Sequence, residues 1–145
     1  MPHHVKSSAA LVLGMLTGMV LTAFVEALGH VVYPPPEGMD PRQQHVLRND
    51  LRTAPVGVLV FLLAAWAIGP FCGAWVAVRL QPGHRMWPAW LLGGLFLLGG
   101  IVNLWAVPHP VWVNAIGVLE FLPCAWWGGR LAQVGQLLDD VDSSP

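Results

Sequence analysis

Four apolar runs confine the charges of this chain to short segments between them, and no other feature constrains its fold as strongly. They extend over Ala9 to Tyr33, Pro55 to Leu80, Trp87 to Val107 and Pro110 to Ala132. Crossing an apolar layer about 30 Å thick takes about 20 helical residues, because each residue rises about 1.5 Å. All of the runs are long enough, and they lack the alternation of barrel strands. The expected fold is therefore all-α, a four-transmembrane-helix bundle. Charged residues make up 10% of the 145 residues, against about a quarter in a soluble domain. That shortage, together with the segregation, predicts an integral membrane protein. The first run is longer than the apolar region of a signal peptide and shows no small-x-small cleavage site near its end, so it reads as a retained helix.

Four spans place both termini and the second loop on one side. That side holds Lys6, Arg79, Arg85 and Arg130; the other holds Arg42, Arg48 and Arg52. The bias predicts cytoplasmic termini in a bacterial inner membrane, with the loop from Pro34 to Ala54 in the periplasm. In that loop "YPPP" must leave the helix. "MDPRQQHVLRNDL" then reads as a short surface helix capped by Asp40, with Pro41 at its first position. The loops "QPGHRM" and "PHP" are tight, which predicts two antiparallel helical hairpins. Pro70 and Pro123 lie inside the second and fourth spans and predict kinks there. Residues 1–133 thus form the transmembrane domain, and residues 134–145 a short acidic cytoplasmic tail expected to fray. The net charge of −1 and the scarcity of basic residues exclude a nucleic-acid partner. Cys72 and Cys124 fall inside apolar runs and read as small buried hydrophobes.

"AWVAVRL" (Ala74 to Leu80) and "AWWGGRL" (Ala125 to Leu131) match at Ala, Trp, Arg and Leu, with small Ala77 or Gly128 at one further position. Two readings stand side by side. The segments are equivalent parts of two related hairpins, or Trp and Arg simply recur at membrane interfaces. Most of the eight tryptophans fit such interfacial belts; only Trp66 falls centrally.

The first span carries a ridge at intervals of four: Ala10, Gly14, Gly18, Thr22, Glu26, His30. Residues four apart share a helix face. Gly14 and Gly18 form a GxxxG that lets a neighbouring helix approach, and Gly69 and Gly73 form another in the second span. Above its glycines the first ridge turns polar. Glu26 lies about 10 Å below the outer end of its helix, and His30 lies one turn higher. Asn103 in the third span and Asn114 and Glu120 in the fourth fall in the same half or at the midplane. A charge at the bilayer centre costs at least about 2.5 kcal/mol. Glu26, His30, Asn103, Asn114 and Glu120 are therefore expected to form a polar pocket among spans one, three and four, facing the periplasm.

Such a pocket has several uses. It serves as glue between helices in an accessory or structural membrane protein, the leading expectation. Alternatively its carboxylates and His30 relay protons in a small proton-coupled transporter or ion-conducting subunit. A third reading is a redox protein holding a metal through Glu26, His30 and Glu120, or haem through His30 and His109. No HExxH or repeated Glu-x-x-His supports the third, and Met15 and Met19 read as packing rather than as copper ligands. No cofactor and no catalytic residue is assigned, and an enzyme is the less favoured class. Glycine ridges on so small a bundle predict a homo-oligomer or a membrane-protein partner, in addition to the lipid itself.

The segments "VEALGHVVYPPPEGMD", "GPFCGAWVAVRL", "NLWAVPHPVW" and "LPCAWWGGRLA" together resemble a family of small, uncharacterised four-helix integral membrane proteins from bacteria. The resemblance spans nearly the whole chain. It implies four spans in a bacterial inner membrane and carries over no catalytic residue.

Overall fold

The computed structural model describes residues 3–34, 51, 54–81, 83 and 85–142, with side chains from residue 6 onward. The described residues form four helices: α1 His3–Val32, α2 Val56–Leu80, α3 Trp87–Ala106 and α4 Val111–Asp142. None of them is in a strand. The surface helix expected after Met39 lies outside the described residues except for Leu51, as do Pro35, Pro36, Pro82 and His84.

Proline marks the helix starts. Pro55 precedes α2, and Pro88 occupies the first turn of α3, where a missing backbone donor costs nothing. Pro70 and Pro123 lie inside α2 and α4, and both helices continue through them. Residues Lys6–Val32, Val56–Leu80 and Trp87–Ala106 are long and apolar enough to cross a membrane. The fourth helix is long enough but falls outside that group. Asn114 and Glu120 interrupt its apolar stretch. Large apolar side chains nevertheless line the exterior of all four helices, among them Val20, Ile68, Leu98 and Leu119.

Helix α2 is central. Thr22 Oγ1 of α1 lies 3.4 Å from the Ala65 carbonyl oxygen and also donates to its own Gly18 carbonyl at 2.9 Å. Further up α1, Tyr33 meets the edge of Phe61 with ring centroids 6.2 Å apart. Further down, a Cβ added at Gly14 would stand 2.5 Å from the Gly73 carbonyl oxygen, and one at Gly18 2.7 Å from that of Gly69. Rising numbers in α1 thus meet falling numbers in α2. Helix α4 packs on the other side of α2, where the same test at Gly128 meets the Phe71 backbone. Helix α3 lies against α4, with Gly93 on Leu122 and Ala125 and Gly129 on Ala89.

Two apolar clusters result. One joins Ala74, Val78, Ala89, Ala125 and Ala132. It contains the alanines of both matched segments, which therefore meet in one core. The other is built on Ala65, Trp66 and Phe121.

The tail expected to fray is helical through Asp142. Its hold on α2 explains why. The last carbonyls of a helix lack intrahelical partners, and Gln136 Nε2 donates to those of Val78, Arg79 and Gln81 at 3.1, 3.0 and 3.2 Å. Asp139 pairs with Arg79, and Gln81 Nε2 donates to Ser7 Oγ at 2.9 Å. Gln136→Ala removes the shared donor and is expected to cost about 1 kcal/mol. Backbone amides of residues 134–142 should then exchange hydrogen several-fold faster, read by mass spectrometry, while those of α1 stay unchanged. Unaltered exchange in the tail would show that Gln136 does not hold it.

Candidate functional site

Glu26 lies on the face of α1 that turns toward α2 and α3. The Trp66 indole of α2 lies beside its carboxylate, and His30, one turn further along α1, is close enough to interact with it electrostatically. Trp66 is 4% exposed. It stacks on Phe121 at 5.7 Å between ring centroids and meets the His109 ring edge-on at 5.6 Å. It reaches this position because Gly117 of α4 leaves room: a Cβ there would stand 2.6 Å from the indole.

Two cavities adjoin Glu26. The outer one, of about 180 Å³, is lined by Glu26, Gly29, His30, Leu51, Val58, Phe61, Leu62, Asn103, Val107 and His109. The inner one, of about 310 Å³, is lined by Met15, Met19, Thr22, Glu26, Trp66, Leu95, Phe96, Gly99, Gly100, Asn103 and Phe121. Glu26 and Asn103 line both and form the step between them. The outer cavity has two imidazoles beside the carboxylate and amide. The inner one is apolar apart from Thr22 and the step. His109 is buried in the turn between α3 and α4 with its Nδ1 lacking a hydrogen-bond partner among the described residues, and this burial lowers its pKa below the ordinary histidine value.

Of the five residues expected to share one pocket, Glu26, His30 and Asn103 line the outer cavity. Asn114 and Glu120 line neither cavity. The pocket is thus built from α1, α2, α3 and His109, not from the first, third and fourth helices. The reason lies in the helical step. Residues three apart are rotated by about 60°, since a turn takes 3.6 residues. Helix α4 buries Val113, Gly117 and Phe121, which leaves Asn114 on one flank of that stripe and Glu120 on the other. Among the described residues, Asn114 Oδ1 and Glu120 Oε1 are buried without a hydrogen-bond partner. Glu26, His30 and Glu120 therefore do not converge as a ligand set, and no three His, Cys, Asp or Glu among the described residues are placed to hold a metal.

The reading from sequence missed Trp66 as the neighbour of Glu26, and it also missed the inner cavity. The signal for Trp66 was present: it is the one tryptophan that falls centrally in its apolar run. No comparable signal marked the cavity, because Leu95, Phe96 and Gly99 look like any apolar span. No protein family, no curated protein and no solved structure matches the chain, so the resemblance drawn from its four segments gains no support from comparison.

Proposed function

We propose that the chain is a multi-pass protein of a bacterial inner membrane, with α4 as the fourth span. Its helices would be paired as two hairpins that bend at Pro70 and Pro123, with both termini cytoplasmic. Its role is that of an accessory or structural subunit, alone in copies or beside a membrane-protein partner, that takes up a small polar group from the periplasmic side at Glu26. The observation that carries this reading is the Glu26–Asn103 step. A carboxylate beside an indole among apolar helices, with an imidazole-lined cavity above it, is costly unless something uses it.

Proton-coupled conduction is the second reading, and the glycine seam weighs against it. At and below the floor of the inner cavity, Gly14 packs on Gly73, Ala77 and Leu92, and Gly18 on Gly69 and Phe96. Close-packed backbone of this kind leaves little room for water, and among the described residues no carboxylate or imidazole of α1 or α2 continues the route toward Arg79.

Two measurements test the proposal. In a background with Cys72 and Cys124 replaced by serine, the His30→Cys and Asn103→Cys variants should react with a membrane-impermeant maleimide added to the periplasmic side. Ala77→Cys, at a position fully buried in the seam, should not react. Proteoliposomes should hold a pH gradient as long as protein-free vesicles do, for wild type and Glu26→Gln alike. A proton leak that Glu26→Gln abolishes would replace this reading with the transporter.

A further inference from the structure

The inner cavity asks for an occupant. Its walls are mostly α1 and α3, which meet near its floor through Gly14 with Leu92 and Gly18 with Phe96. The side chains at the opening face outward: Met19 is 54% exposed and Leu95 42%. A Cβ added at Gly99 would meet nothing within 4 Å. The cavity is therefore a slot open sideways, at a depth where the surroundings are apolar. Water would find few partners in it. A helix from another protein would not fit either, because packed helices stand 8–10 Å apart and α1 and α3 already touch at the floor.

The slot also has a polarity order. Apolar side chains line it from Met15 upward, and it ends at the Glu26 carboxylate and the Asn103 amide, which also open to the outer cavity. We infer that the slot receives the apolar chain of a membrane amphiphile whose amino or hydroxyl head is bound by Glu26 and Asn103. The carboxylate selects a hydrogen-bond donor and repels an anionic head. The asparagine can both donate and accept. This inference rests on the proposed reading of the Glu26 cavity and names its ligand class.

The test uses full-length protein in phosphatidylcholine nanodiscs and two probes of equal length, hexadecylamine and hexadecanoic acid, each carrying a diazirine midway along the chain. The amine should cross-link to peptides containing Met15 to Met19 and Leu95 to Gly99, at least about tenfold more than the acid. Gly99→Phe fills the slot without meeting a neighbour at its Cβ. It should reduce amine labelling about tenfold while elution volume and melting temperature stay as in wild type. Labelling spread evenly over outward residues such as Val20 and Leu119, or labelling unchanged by Gly99→Phe, would overturn the inference. If maleimide reaches positions 30 and 103 but the amine does not enter the slot, the cavity reading stands and the amphiphile is wrong. If maleimide fails as well, both fall.

Discussion

Gly128→Ala should destabilise the bundle by about 3 kcal/mol, and Gly128→Leu should leave no native protein. A Cβ at this position would overlap the Phe71 carbonyl oxygen, with the carbonyl carbon 2.8 Å and the Cα 3.1 Å away. These are backbone atoms of α2, so no rotamer change can relieve the overlap. The two helices would have to separate along their contact. Overpacking a well-filled site costs about 1–3 kcal/mol and at times more, and the absence of any flexible neighbour places Gly128 at the upper end. Total stability is about 5–15 kcal/mol for ordinary domains, so one methyl group removes a large share of it. Gly94→Ala is the matched control. Nothing lies within 4 Å of a Cβ there, and alanine is favoured over glycine in a helix by up to about 1 kcal/mol. Tryptophan fluorescence followed through thermal unfolding in detergent should show Gly128→Ala melting well below wild type and Gly94→Ala at or above it. Equal melting of the two variants would mean that α2 and α4 are not in contact at this point.

The contrast between these glycines also shows how far the sequence can be read. Every apolar run proved to be a helix, because length and composition decide that before any packing is known. Gly14, Gly18, Gly69 and Gly73 stand out at a spacing of four, and the structure places all of them at the α1–α2 contact. Gly128 stands beside Gly129 with no such spacing, and its role depends on which helix lies opposite. The polar residues divide in the same way. Glu26 and His30 are four apart on one helix and share a cavity. Asn114 and Glu120 are six apart, and the rotation between them sends them to opposite flanks of α4. The tail was misread for a related reason. Its acidic residues look solvated in isolation, and only the end of α2 beside them supplies the carbonyls for Gln136 and the guanidinium for Asp139. Contacts within a helix follow from spacing. Contacts between helices need the rotation and offset of each one, which the hydrophobic pattern of a span surrounded by apolar material does not encode.

Trp66→Ala is expected to cost at least about 4 kcal/mol and to disable the Glu26 site as well. Truncating a buried tryptophan costs about 3–5 kcal/mol from lost contacts and the cavity left behind. Here the ring touches Phe121, His109 and the space left by Gly117, so little can collapse into the gap. Losing the indole N–H beside the Glu26 carboxylate adds a separate term, up to about 1–3 kcal/mol for a polar group left unsatisfied. Trp66→Phe separates the two. It keeps most of the packing and removes only the donor, so its melting temperature should lie between those of wild type and Trp66→Ala. If the indole positions the carboxylate, amine cross-linking in the slot should fall in Trp66→Phe nearly as far as in Glu26→Gln, although the bundle remains folded and Gly99 stays open. If Trp66→Phe labels like wild type and only Trp66→Ala fails, the tryptophan fills space and nothing more. Glu26 would then owe its position to α1 alone, through the same ridge that carries Gly14, Gly18 and Thr22 into the seam.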